Sequence, residues 1–202
     1  MNEDKIIFAT GNEGKMREIR EILKDLGMKI LSMKEAGADL NIVEDGSTFL
    51  ENAEIKARAV WEKTGGIVLA DDSGLVIDCL NGEPGIYSAR YMGEDTSYEI
   101  KNQNLLNRAA KARGDERSAR FVCSIAAVLP DGNVLHTEET MEGILADKPA
   151  GEEGFGYDPI FYLPEFQKTA AELPMELKNK ISHRGKALEE MKCKLMEYYG
   201  RK

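Results

Sequence analysis

Lys5-Ile6-Ile7-Phe8-Ala9-Thr10-Gly11-Asn12-Glu13-Gly14-Lys15-Met16 is the stretch that decides the fold class. Residues 5–9 form a short apolar run suited to a buried strand. Thr10 to Lys15 follow as a glycine-containing loop. Met16, Ile19, Ile22, Leu23 and Leu26 then recur at the three- and four-residue intervals of one helix face, and Gly27 stops the pattern. Strand, loop and helix in direct succession open an α/β fold.

The pattern continues outward. Ile42 and Val43 precede the turn Glu44-Asp45-Gly46. Thr48 with Glu51 makes a capping box, and Phe49, Ala53, Ala57 and Val60 give the helix behind it an apolar face that ends at Gly65-Gly66. Ile67 to Ala70 reads as a buried strand with Asp71-Asp72-Ser73-Gly74 at its C-terminal end. Extended chain over 75–80, a turn at Asn81-Gly82 and a helix from Thr96, boxed by Glu99, come next. Phe121 to Leu129 is the longest β-like run, and Pro130-Asp131-Gly132-Asn133 turns it into Val134–Ile144 as a hairpin. The last helix is expected from Lys186, with Leu188, Met191, Leu195 and Tyr199 on one face. Strands, helices and a hairpin interspersed predict a mixed α/β sheet flanked by helices, within one domain over residues 1–202.

Composition bounds the function. The chain has 202 residues, enough for one sizeable core. Its net charge of -9 opposes non-specific binding to a nucleic-acid backbone. The apolar run at 6–9 is far too short for a signal peptide core or a membrane span, so a cytoplasmic protein is expected. Cys79, Cys123 and Cys193 form no CxxC or Cys/His pair and are expected as reduced, buried thiols. Two histidines, His136 and His183, are too few for a histidine-rich metal site.

Five segments carry groups suited to chemistry. Thr10 to Lys15 lies between a strand and a helix N-terminus, where backbone N–H groups and the helix dipole favour a phosphate. Gly11 and Gly14 allow close approach, Thr10 and Asn12 add polar side chains, and Lys15 adds charge. Only two residues separate the glycines and Met16 follows the lysine, which excludes a Walker A loop; an ordinary turn is the alternative. Asp71 and Asp72 are adjacent carboxylates after an apolar strand, where open α/β sheets bind ligands and where Mg²⁺ takes oxygen donors; a solvated turn is the alternative. Glu44 joins them only if the fold carries its turn there. Phe155-Gly156-Tyr157-Asp158 offers aromatic faces for a base and an acceptor for ring N–H groups, unless the aromatics anchor the loop to the core. Lys178 and Ser182-His183-Arg184 are a cationic cluster in an acidic chain, or a capped helix start with solvated charges.

The order of these segments resembles the inosine triphosphate pyrophosphatase family, the XTP/dITP diphosphatases. The resemblance runs from Thr10–Lys15 through Glu44–Ala53, Ala70–Leu75, Gly85–Tyr91 and Phe155–Pro159 to Lys178–Arg184. It implies two lobes with a nucleotide cleft between them and a homodimer. It implies an enzyme, a nucleoside triphosphate pyrophosphatase cleaving ITP, dITP and XTP to the monophosphate and pyrophosphate. Mg²⁺ would be held by Glu44 and Asp72, with Asp72 the proton acceptor, Asp71 its rival, and Lys15 stabilising developing charge. Substrate contacts would fall on Thr10, Gly11, Asn12, Glu13, Gly14, Lys15, Ser73, Phe155, Gly156, Tyr157, Asp158, Lys178, His183 and Arg184. Glu152-Glu153 stand where many members carry small residues. Glu44, Asp71 and Asp72 are expected to converge on one divalent ion. A pyrimidine-directed pyrophosphatase of the Maf-like kind and a nucleotide-binding module without catalysis are the other readings.

Overall fold

The computed structural model describes residues 5–200. Seven strands and five helices form in the order β1 (Lys5–Phe8), α1 (Glu13–Leu23), β2 (Lys29–Ser32), α2 (Phe49–Thr64), β3 (Ile67–Ile77), α3 (Tyr98–Arg108), β4 (Ser118–Val128), β5 (Val134–Leu145), β6 (Phe161–Leu163), β7 (Lys168–Thr169), α4 (Met175–Ile181) and α5 (His183–Tyr198). The sheet order is β2-β1-β3-β4-β5-β6-β7. β1 runs parallel to β2 and β3, while β6 is antiparallel to β5 and β7, so the sheet is mixed as expected.

Two compact units divide the described chain. The first comprises the described residues of Met1–Asp72, Cys123–Glu139 and His183–Lys202. Its strands are buried on both faces, so successive residues serve opposite layers. Ile6, Phe8, Ile67, Leu69, Cys123, Ile125 and Ala127 pack with Met16, Ile19 and Leu23 of α1 and Leu188, Met191 and Leu195 of α5. Ile7, Val68, Ala70, Ala126 and Val128 pack with Ala53, Ala57 and Val60 of α2. Burying each of the larger side chains stabilises the unit by about 1.5–3 kcal/mol. β1 lies between β2 and β3, so the chain leaving β1 emerges at a point where strand order reverses, a place where such sheets bind ligands.

Caps set the helix starts here. Asn12 accepts from the Lys15 amide to begin α1, and Thr48 accepts from the Glu51 amide to begin α2. The Glu51 carboxylate returns to the Ser47 amide and hydroxyl. Gly65, at φ +60°, ends α2 with a bond from its amide to the Trp61 carbonyl.

The second unit comprises Ser73–Val122 and Thr140–Ser182. Its core is built by Leu75, Ile77, Leu105, Phe121, Met141, Tyr157, Ile160 and Phe161. Phe121 and Phe161 stack at a tilt, 4.6 Å between ring centres.

The structure corrects several boundaries. β3 does not end before Asp71 but continues to Ile77, so both aspartates lie mid-strand. Leu75 and Ile77 are buried beyond them and extend the same alternation. α3 starts at Tyr98 with Ser97 as its cap, because the Ser97 hydroxyl accepts from the Ile100 amide. α5 starts at His183 rather than Lys186, and α4, unforeseen, ends at Ile181 with Ser182 as its C-terminal cap just before it. Only Cys123 of the three cysteines is buried; Cys79 and Cys193 are exposed. Among the described residues no helix is long and apolar enough to cross a membrane.

Candidate active site

Strand alternation sends Asp71 and Asp72 to opposite faces of β3. Asp71 faces the α1 and α5 layer. Its carboxylate lies 2.9 Å from Lys15 Nζ and 3.3 Å from Arg184 Nε, and its side chain is fully buried. Arg184 also donates to Glu18 of α1 at 2.6 Å. Asp72 faces α2. It accepts from Asn52 Nδ2 at 3.1 Å and sits 3.7 Å from Lys56 Nζ.

Glu44 reaches this second face through the same lysine. Lys56 Nζ donates to Glu44 Oε2 at 2.8 Å, so one ammonium touches both Glu44 and Asp72. Asn52 fastens the turn, since its Oδ1 accepts from the Gly46 amide while its Nδ2 donates to Asp72. Gly46 is required there: a Cβ would stand 2.7 Å from Asn52 Oδ1.

The environments drive the two carboxyls apart. Burial pushes Asp71 up, but Lys15, Arg184 and Lys56 outweigh it and hold the group well below the usual carboxylate range. Burial also pushes Asp72 up, and here Lys56, Asn52 and Lys15 do not outweigh it, while Glu44 adds to the rise. Lys56 is raised despite the opposing effect of burial, through Asp72, Asp71 and Glu44.

The expectation of three carboxylates around one ion is corrected by this geometry. Among the described residues no group of three or more His, Cys, Asp or Glu is gathered for a metal, because Asp71 turns to the other layer. Glu44 and Asp72 are the pair that fits a hard divalent cation, and Mg²⁺ commonly takes one or two carboxylates with phosphate and water completing its shell. Four carboxylates (Glu18, Glu44, Asp71, Asp72) face three cations (Lys15, Lys56, Arg184). That leaves one net negative charge, which a divalent ion would invert to favour an anionic ligand.

The loop before α1 is short and ordered by its own groups. Thr10 Oγ1 accepts from the Asn12 amide, Gly11 is exposed, and Glu13 and Gly14 open the helix. In the second unit, Asp158 Oδ2 accepts from the Phe155 amide at 2.8 Å and from Lys178 Nζ at 2.7 Å. Lys178 also lies 5.0 Å over the Phe155 ring. Gly154 stands at φ +77°, where a Cβ would collide with the Asp158 carboxylate. Tyr157 is buried, donates its hydroxyl to the Ser88 carbonyl and meets Tyr98 edge to face, so it anchors the loop. Ser73 is partly buried and His183 buried at the start of α5.

Lys15, Glu44, Asp71, Asp72 and Arg184 are thus gathered in the first unit, and Phe155, Asp158 and Lys178 in the second. Sequence reading missed Glu18, Asn52 and Lys56. A signal existed for the last two: they stand four apart on α2, beside its apolar stripe, where both reach one neighbour. Glu18 carried none, since a single acidic residue on an amphipathic helix reads as solvated.

A mixed α/β sheet with a glycine-containing loop at its switch point and a buried acid–base cluster beside it defines an α/β protein of the ligand-binding open-sheet class. The chain belongs to the Ham1 family, whose model matches residues 6–194. A dITP/XTP pyrophosphatase of Clostridium perfringens is 47% identical over 197 residues, covering 95% of this chain and 97% of that relative. One of Thermus thermophilus is 49% identical over 184 residues, covering 91% of this chain and 88% of the relative. The structure of a HAM1 protein from Coxiella burnetii is similar at a TM-score of 0.87 and 44% identity, with 96% and 98% of the two chains covered.

Proposed function

We propose that this chain hydrolyses non-canonical purine nucleoside triphosphates (ITP, dITP and XTP) to the monophosphate and pyrophosphate. The observation that carries the proposal is the meeting of Glu44 and Asp72 at Lys56, with the Lys15 loop in the same unit. Relatives across nearly the whole chain that bear the name dITP/XTP pyrophosphatase support it.

Thr10, Gly11, Asn12, Glu13, Gly14 and Lys15 receive the triphosphate, with backbone N–H groups at the start of α1 as donors. Glu44 and Asp72 hold Mg²⁺, which when bound supplies charge neutralisation at the phosphates. Asp72 takes the proton of the attacking water. Asp71, clamped by Lys15 and Arg184, is the poorer proton acceptor. Asp71 instead holds Lys15 and Arg184 in place. Water attacks the α-phosphorus and pyrophosphate leaves, stabilised by Lys15 and by the ammonium of Lys56.

Phe155, Gly156, Tyr157, Asp158, Lys178, His183 and Arg184, with Ser73, serve the nucleoside end. Arg184 only donates, which suits the 6-oxo group of inosine and xanthine and mismatches the amino group of adenine. Its bonds to Asp71 and Glu18 fix the orientation of the guanidinium. A homodimer and a cytoplasmic setting belong to the same proposal.

Turnover of ITP against ATP, GTP and a pyrimidine triphosphate, with Mg²⁺ and with chelator, tests it by pyrophosphate release. Preferred, Mg²⁺-dependent cleavage of ITP is expected. Preference for the pyrimidine, or binding of ITP without turnover, would overturn it.

A further inference from the structure

α3 buries two polar residues on the side that carries Leu105 and Leu106: Lys101 is 1% exposed and Asn102 4%. Polar groups at such depth cost free energy unless they are bonded. Lys101 Nζ donates to the Ala89 carbonyl at 2.8 Å and lies 4.9 Å over the Tyr98 ring. Asn102 Nδ2 donates to the Gly156 carbonyl at 3.1 Å. Asn102 Oδ1 is buried and has no partner among the described residues.

Gly156 lies beside α3 on this side. Its φ is +69°, and a Cβ there would rest 3.6 Å from the Tyr98 ring. Tyr98 also meets Tyr157 edge to face at 5.2 Å. The 155–158 loop is therefore gripped twice. Asp158 and Lys178 hold it from one side by charge. Asn102 and Tyr98 hold it from α3, and there the Asn102 amide donates directly to the loop's backbone.

We infer that Asn102 is a positioning residue for purine discrimination: by fixing the Gly156 peptide it sets the presentation of Phe155 and Asp158 to the base. A residue serving only to fill the core at this depth would be apolar, whereas Asn102 directs its amide donor to one loop carbonyl. The inference rests on the base-reading assignment proposed above.

Asn102→Leu keeps the volume and removes the donor, and Asn102→Ala removes both. KM and kcat for ITP and ATP are measured on the full chain with Mg²⁺, beside hydrogen exchange of the amides at 154–158. Losing one such hydrogen bond corresponds to about a three- to tenfold effect. For both variants KM for ITP should rise by that factor, kcat should stay within about twofold, the ITP-to-ATP preference should fall, and loop exchange should accelerate. A filler role moves melting temperature alone; unchanged KM, preference and exchange in the Leu variant would overturn the inference. Wild-type protein with no ITP preference, together with accelerated loop exchange in the variants, counts against the proposed substrate and supports the clamp.

Discussion

Asp71→Asn and Asp72→Asn are matched in size and one residue apart, yet they should fail in opposite ways. Asp71 is fully buried and binds both Lys15 and Arg184. Removing one partner of a buried ion pair costs about 3–5 kcal/mol, because the remaining charge is stranded. Lys15 is 17% exposed and Arg184 keeps Glu18, which places the cost near the lower end, about 3 kcal/mol. At roughly 2–4 °C per kcal/mol for a chain of this length, the melting temperature should drop by about 6–12 °C. Asp72 is the reverse case: its surroundings already disfavour the charge, so neutralising it should change stability by about 1 kcal/mol or less. Turnover of ITP by Asp72→Asn should instead fall by about 10²–10⁴, the usual contribution of a general base. Thermal melts, urea unfolding and pyrophosphate release on both variants make the comparison. The Asp71 contribution also has a pH signature. A carboxyl with a depressed folded value stabilises fully above its unfolded value, near pH 4, and loses that contribution progressively as pH falls from there to the folded value. The gap between wild type and Asp71→Asn should be full at about pH 5 and above and should narrow progressively as pH falls below about 4. A wild-type melting temperature for Asp71→Asn, or wild-type turnover by Asp72→Asn, would refute the division of roles.

Lys56→Met removes the ammonium between Glu44 and Asp72. Mg²⁺ binding measured by calorimetry should tighten while kcat/KM falls at least about tenfold, and the acid limb of the pH profile should move to higher pH, since Lys56 lowers the Asp72 value; unaltered Mg²⁺ affinity would count against a shared cation position. Gly154→Ala places a Cβ against Asp158 at a positive φ and should cost about 1–3 kcal/mol while raising KM for ITP; a melting temperature and KM equal to wild type would show that the loop relaxes freely. Two thiols, Cys79 and Cys193, should alkylate quickly at pH 8 in the native protein, and Cys123, with burial pushing its thiol up to about 12, only after denaturation. Three fast thiols would mean that the β4 layer opens readily.

The sequence alone determined what depends on local chemistry. The run 5–9, the loop 10–15 and the spacing from Met16 to Leu26 specify β1, α1 and the phosphate-type loop, because strand and helix periods and the Asn12 cap are written in neighbouring residues. Thr48 announced α2 for the same reason. Element ends were less legible where a tertiary contact overrides a local signal. Asp71-Asp72-Ser73-Gly74 reads as a turn, but cations delivered from three helices let β3 run straight through it. Only the tertiary structure decided the roles of the two aspartates. A strand turns consecutive side chains to opposite faces, and which helix covers each face depends on residues more than a hundred positions away, such as Arg184. Lys56, Asn52 and Glu18 entered the site the same way: their residue types are ordinary on a helix surface, and only packing against β3 makes them partners of buried charge.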